Sequence, residues 1–127
     1  ALDCIDNIRG VQVYCTGGWM NAFQRGFVGE AARQRIIEFR PDLLFFSARA
    51  ISLNDGITDV NEEDVYMKQQ MLKSCRKNVF LSDSSKFDQV SYRVICGLEN
   101  IDWIITNQQP SEKWLRHLKS SGVKILY

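Results

Sequence analysis

A short polar segment, Asp83-Ser84-Ser85-Lys86, places a carboxylate and an ammonium group three residues apart, with two hydroxyl groups between them. The ammonium group can hold a phosphate or ring oxygen, the carboxylate can accept sugar hydroxyl groups, and the loop amides can add anion-binding donors. We therefore predict that this segment binds a polyol or a phosphorylated ligand. The alternative is an ordinary turn in which Asp83 accepts hydrogen bonds from backbone amides and Lys86 is solvated.

A second polar segment, residues 55–61, contains two carboxylates and a threonine hydroxyl group close to a glycine. We predict that its side chains reach the same ligand, and the glycine favours a backbone φ above zero at this point. The alternative is a turn that only leads into a capped helix. The candidate residues of this segment are Asp55, Gly56, Thr58 and Asp59.

Two further features are weaker candidates for ligand contacts. Gly17 and Gly18 allow the backbone to approach a ligand, although a plain turn explains them more simply. Arg49 can meet an anion, with a surface ion pair as the alternative, and we place His117 on the surface. The sequence has no G-x-S-x-G, H-E-x-x-H, P-loop or G-x-G-x-x-G motif, so we predict no metal, no cofactor and none of the enzymes that these motifs mark.

Apolar patterns interrupted by turn signals predict the elements that position these residues. Strands are predicted at residues 11–15, 43–46, 79–81, 102–106 and 123–127. Helices are predicted at residues 27–39, at 62–76 after an Asn61 cap, and between a Ser111 cap and Gly122. The continuous apolar run at 43–46 indicates a strand covered on both faces, and residues 87–100, which follow the Asp83-Lys86 loop, are predicted to be less regular.

The alternation of strands and helices predicts an α/β fold, a mostly parallel Rossmann-like sheet with helices on both faces and right-handed crossovers. The 127 residues suffice for one layered domain. In such a sheet the carboxyl ends of the strands open onto the crevice that binds small molecules. The strand at 79–81 delivers Asp83 and Lys86 to such an end.

Composition excludes several classes of function. The 16 basic and 15 acidic side chains give a net charge of +1 without a basic stripe, so this chain alone is not expected to bind DNA. No apolar run approaches the roughly 20 residues needed to cross a bilayer, and residues 1–4 are not expected to open a signal peptide. The spacing of the four cysteines favours a reducing, cytoplasmic location, with Cys15, Cys75 and Cys96 as small buried apolar side chains.

The order and spacing of several segments resemble the sensor domain of DeoR-family transcriptional regulators over nearly the whole chain. The most specific part is a G-I-T-x-x-N loop followed by D-S-S-K. The segments that carry the resemblance are Gly17-Gly18, Val28-Gly29-Glu30-Ala31-Ala32, residues 42–48, residues 56–63, Lys68, residues 83–87 and Ile104-Ile105-Thr106.

The resemblance implies a fold shared with ribose-5-phosphate isomerase, glucosamine-6-phosphate deaminase and CoA transferases. It also implies binding of a phosphorylated sugar or related metabolite, and assembly into a homo-oligomer. Full-length members read operator DNA through an N-terminal winged helix-turn-helix. The chain opens without methionine, and we expect residues 1–127 to be an effector-sensing domain that lacks both this DNA-binding domain and its own first strand and Ser/Gly/Thr-rich phosphate loop.

Departures from the related sequences bear on catalysis. The family usually has Gly at Ala50 and Asp at Asn107, and sugar-phosphate isomerases of this fold carry an acid-rich loop where this chain has Ser47-Ala48-Arg49-Ala50. Isomerisation needs a positioned general base, so we expect binding without turnover. The alternatives are an isomerase or deaminase relative that uses a carboxylate of residues 62–64 as base, and a purely structural oligomerisation domain.

Overall fold

The computed structural model describes residues 10–22 and 25–127. Two short 3-10 helices, Ser84–Lys86 and Leu98–Asn100, follow strands of the sheets. The α-helices are α1 (Glu30–Ile37), α2 (Glu62–Ser74) and α3 (Glu112–Ser121). The strands are β1 (Trp19–Asn21), β2 (Gly26–Val28), β3 (Leu43–Phe46), β4 (Ala50–Ser52), β5 (Gly56–Asp59), β6 (Lys77–Leu81), β7 (Arg93–Cys96), β8 (Trp103–Ile105) and β9 (Lys124–Leu126).

Four strands form a parallel sheet in the order β3-β6-β8-β9, which is also their order along the chain. The α/β class with a parallel sheet is therefore confirmed, and so are four of the predicted strands. Crossovers between parallel strands are right-handed as a rule, so connections that all move in the same direction bring α2 and α3 to one face. On that face Phe46, Phe80 and Ile104 pack in one cluster with Val65 of α2 and Trp114 of α3.

The opposite face of this sheet is open over the described part of the chain. Leu43 and Phe45 of β3 and Leu126 of β9 are 54%, 57% and 51% exposed. The prediction that residues 43–46 are covered on both faces is therefore wrong. In the described ranges, no helix lies over these side chains. A continuous apolar run is typical of a strand that is buried on both faces. In this sheet, however, the connections all run in the same direction, so they cover only one face.

A second, antiparallel sheet of order β4-β5-β7 follows the carboxyl end of β3 and was not predicted. Its middle strand, β5, occupies part of the segment interpreted as a loop, and β7 lies in the stretch expected to be irregular. All four residues of β5 are buried, so the strand shows no alternation of apolar and polar side chains. Thr58 and Asp59 consequently belong to a strand and not to a turn.

The N-terminal part of the chain also differs from the prediction. Residues 11–15 form no strand, because an alternating pattern becomes a strand only where a partner supplies hydrogen bonds. The helix expected at 27–39 is divided into β2, which pairs with β1, and α1. Cys15 is exposed and Cys75 and Cys96 are half-buried, so none is fully buried as predicted. Burial nevertheless raises the pKa of the Cys96 thiol to about 12.

The helix signals read from the sequence are largely confirmed. The side chain of Asn61 accepts a hydrogen bond from the backbone N–H of Asp64 at 3.0 Å, and α2 begins at the next residue. Gly122 ends α3 with a φ of 77°, the left-handed conformation typical of a glycine after a helix. His117 is exposed, as expected. Within the described ranges, no helix is long and apolar enough to cross a membrane.

Acidification is expected to remove stability contributed by Asp102. Its carboxylate accepts hydrogen bonds from Lys77 Nζ at 2.7 Å and from the backbone N–H of Asn78 at 2.9 Å, and these contacts hold the pKa of Asp102 below its ordinary 3.8. A carboxylate with a lowered folded-state pKa contributes stability above its unfolded pKa, and this is lost as the pH falls through the folded pKa. Denaturant titrations below about pH 4 should therefore show a steeper loss for the parent chain than for Asp102→Asn. Equal slopes would contradict this expectation.

Candidate functional site

The candidate site lies at the carboxyl ends of β3 and β6, two hydrogen-bonded neighbours in the parallel sheet. Ser47 follows β3 directly, and the 3-10 helix that contains Lys86 follows β6. Lys86 Nζ donates a hydrogen bond to Ser47 Oγ at 3.1 Å, which joins the two segments across 39 positions of sequence. The predicted delivery of this loop to a strand end is therefore observed.

Two adjoining cavities open at this place, and both are lined by Arg49 and Lys86. The first, here called the serine cavity, measures about 380 Å³ and is lined also by Ser85, Gln89 and Ser91. The second, the acidic cavity, measures about 450 Å³ and is lined also by Ser47, Asp59, Asp64 and Lys68. The two cationic side chains thus stand at the boundary between two polar compartments.

The turn that carries Lys86 is held by its own side chains. Asp83 accepts hydrogen bonds from the hydroxyl group and from the backbone N–H of Ser85, and the hydroxyl bond is the main cause that lowers the pKa of Asp83. The backbone N–H of Ser84 donates to Asn107 Oδ1 at 2.8 Å. Asp83 and Ser84 therefore stabilise the turn, whereas Ser85 and Lys86 line the cavities.

Helix α3 anchors the same turn from behind. The Phe87 ring meets the Trp114 ring edge to face, with ring centroids 4.8 Å apart. Trp114 Nε1 donates to Asp88 Oδ1 at 3.0 Å, and Asp88 has a φ of 58° in the left-handed region. Because a non-glycine residue in this region needs support from its surroundings, these contacts with Trp114 define where Lys86 is placed.

Arg49 differs from the other cationic groups of the site. Its side chain is exposed, and it makes no hydrogen bond or ion pair with any residue in the described part of the chain. Lys86, in contrast, lies 3.8 Å from Asp83 Oδ2. Arg49 therefore offers a guanidinium group whose donors are all available to an anion.

A compact ion triad forms one wall of the acidic cavity. Lys68 Nζ lies 2.7 Å from Asp59 Oδ2 and 2.5 Å from Asp64 Oδ2, and these side chains are 14%, 8% and 22% exposed. The other oxygen of Asp59 accepts the backbone N–H of Val60 at 2.8 Å. The sequence analysis assigned no ligand-site role to Lys68 or Ser47; the available signals were their place among the segments that carry the family resemblance and the i, i+4 spacing of Asp64 and Lys68.

The remaining predicted residues lie elsewhere. Thr58 is fully buried, and its hydroxyl oxygen accepts the backbone N–H of Ser91 at 2.8 Å, which supports the wall of the serine cavity from behind. Asp55 and Gly56 line a different cavity together with His117. Gly17 and Gly18 line neither cavity; a Cβ on Gly18 would lie 2.5 Å from the carbonyl oxygen of Val28. The ligand roles of these five residues stay predictions. In the described ranges no group of three or more His, Cys, Asp or Glu could hold a metal ion.

Comparison with known proteins defines the class of this domain. A family model described as the DeoR C terminal sensor domain matches residues 3–108. The HTH-type transcriptional repressor GlcR of Bacillus subtilis is 27% identical over 98% of this chain and 48% of its own length. The HTH-type transcriptional regulator GlpR of Haloferax volcanii is 30% identical, over 91% and 45%. The deoxyribose operon repressor of Escherichia coli is 24% identical, over 91% and 46%.

The family match and the similarity to transcriptional regulators assign this α/β chain to the class of regulatory sensor domains. The chain belongs to the DeoR C-terminal sensor domain family, which confirms the resemblance read from its segments. It spans a little under half the length of these relatives, between 45% and 48%.

Proposed function

We propose that this chain is the effector-sensing domain of a cytoplasmic DNA-binding regulator, and that its effector is a phosphorylated sugar or a related metabolite. The observation that supports this most directly is that Arg49 and Lys86 both lie at the boundary of two polar cavities, and that Arg49 has no partner in the described part of the chain. A phosphate group between them would accept charge-assisted hydrogen bonds from both.

The relatives support the same class of effector. One of them is named as a deoxyribose operon repressor, so a similar protein is associated by name with an operon named for a sugar. The effector would act by binding one conformational state of the regulator better than another, which shifts the population of DNA-binding molecules. We place the DNA-binding domain and the first strand and phosphate loop of the sensor upstream in a longer protein, and we expect that protein to be a homo-oligomer.

The engagement of the carboxylates supports sensing without turnover. A general base must be free to accept a proton from the substrate. Asp59 and Asp64 are held by Lys68, and Asp83 is held by Ser85. Of the first-turn carboxylates of α2 considered as alternative bases, Glu62 binds Arg93 and Glu63 binds Arg33. In the described residues each of these carboxylates therefore has a cation or hydrogen-bond partner, and of Asp59 and Asp64 only Asp64 keeps an oxygen that no described residue engages.

Replacement of Lys86 by alanine tests this proposal. Loss of one charge-assisted contact should weaken the binding of ribose 5-phosphate or another pentose or hexose phosphate by about 10- to 150-fold, as measured by calorimetric titration. Thermal unfolding should change little, because Lys86 is partly exposed.

Lys119→Ala serves as the matched control, because Lys119 is an exposed lysine of α3 that lines neither cavity. Equal affinities for Lys86→Ala and Lys119→Ala would mean that the 83–86 turn is structural. Turnover of any of these phosphates well above a buffer control would favour the enzyme alternative.

A further inference from the structure

The two cavities offer different chemistry on either side of Arg49 and Lys86. The serine cavity presents hydroxyl and amide groups and has no carboxylate in its lining. The acidic cavity presents the triad of Asp59, Asp64 and Lys68. If the two cations hold the anionic group of a ligand, the rest of that ligand lies in one of the two cavities. Only the acidic cavity carries strong acceptors for hydroxyl groups.

A count of hydrogen-bonding capacity singles out Asp64. Both oxygens of Asp59 are engaged, one with the backbone N–H of Val60 and one with Lys68. Asp64 Oδ2 is also held by Lys68, whereas Asp64 Oδ1 receives no hydrogen bond from any residue in the ranges described. Asp64 is thus a fixed carboxylate with one vacant acceptor at the wall of the cavity.

The charge of the triad makes this acceptor compatible with an anionic ligand. Lys68 offsets one of the two negative charges, so that a net charge of about −1 faces Arg49, which has no carboxylate partner in the described residues, and Lys86, whose charge Asp83 partly offsets from 3.8 Å. A phosphate placed between those cations is still attracted to the site. A carboxylate fixed by an ion pair also loses little side-chain entropy when it accepts a hydroxyl group.

We propose that Asp64 is a specificity-determining residue, which accepts a hydroxyl group of the sugar while Arg49 and Lys86 hold its phosphate. This inference rests on the proposed function and extends it, because it orients the ligand with its hydroxyl groups in the acidic cavity. Asp64 therefore distinguishes a polyol phosphate from phosphate alone.

The test compares two probes, ribose 5-phosphate and inorganic phosphate, on the parent chain and on Asp64→Asn. The substitution keeps the size of the side chain and leaves Lys68 paired with Asp59. We expect the affinity for ribose 5-phosphate to fall about tenfold, since a charge-assisted hydrogen bond becomes a neutral one, and the affinity for inorganic phosphate to stay within twofold.

Glu62→Gln is the matched control. It removes a negative charge from the same first turn of α2, at a side chain that lines neither cavity, and should leave both affinities unchanged. Thermal unfolding of each variant checks that the fold is intact.

The outcomes distinguish the role of Asp64 from the proposed phosphate site. If phosphate binding depends on Lys86, two results overturn the role of Asp64 alone. In the first, Asp64→Asn leaves the affinity for ribose 5-phosphate unchanged; in the second, it lowers the affinities for both probes equally. Failure of both probes to bind in a Lys86-dependent manner overturns the proposed phosphate site and this inference with it.

Discussion

Replacement of Trp114 by alanine should destabilise the protein by about 3–5 kcal/mol, the range for removing a large aromatic side chain from a core. Trp114 is only 1% exposed and packs in the main cluster with Phe80 and Ile104. The substitution also removes the ring contact with Phe87 and the indole hydrogen bond to Asp88. Urea unfolding measures the loss of stability.

Two further variants separate the contributions of Trp114. Trp114→Phe keeps most of the ring volume but removes the indole donor, and should cost about 1–2 kcal/mol. Trp103→Ala is the matched control, because Trp103 is only half-buried, and should cost less than Trp114→Ala. A similar loss for the two alanine variants would contradict the expectation that the buried Trp114 stabilises the fold more than the half-buried Trp103.

Replacement of Lys68 by methionine should destabilise the protein by about 2–4 kcal/mol, because it leaves two carboxylates without a counter-charge. The cost is set mainly by Asp59, whose side chain is 8% exposed, and less by Asp64, at 22%. Methionine fills nearly the same volume, so that the measured loss reports the charge and not a cavity.

An exposed lysine on the same helix provides the comparison. Lys73→Met should change the free energy of unfolding by no more than about 0.5 kcal/mol. Addition of Asp59→Asn to Lys68→Met should restore part of the lost stability, since one of the uncompensated charges is removed. Strictly additive effects of the two substitutions would argue against coupling within the triad.

Elements with regular apolar spacing and a recognisable cap were predictable from the sequence. Helix α2 begins where Asn61 indicated, and the strands that became β3, β6, β8 and β9 were found because they are short apolar runs between turn signals. In contrast, β5 and β7 were missed. β5 pairs with the preceding strand β4 but is buried along its whole length, so it lacks the alternation that marks a strand, and β7 pairs with β5, a partner far along the chain that local spacing does not record.

The candidate site was predictable to the extent that it depends on strand ends. Lys86, Ser85, Arg49 and Asp59 follow or end strands, and the structure brings them to the same pair of cavities. Thr58 was predicted to contact the ligand, but its side chain faces the interior. Neighbouring residues of a strand point to opposite sides, so Thr58 faces away from the side on which Asp59 lines the cavity. The role of Asp83 in the turn matches the structural alternative stated for it, whereas its ligand role stays a prediction.

The agreement between strand order and chain order has a consequence for how this domain is made. A ribosome adds about 5–20 residues per second, whereas a helix or hairpin forms within microseconds. In the parallel sheet and in the β4-β5-β7 sheet each new strand joins an edge that already exists: β6 on β3, β8 on β6 and β9 on β8, and likewise β5 on β4 and β7 on β5. The sheets can therefore grow during synthesis without any strand being inserted between two earlier ones, and β9 adds only to an edge that is already paired on its other side.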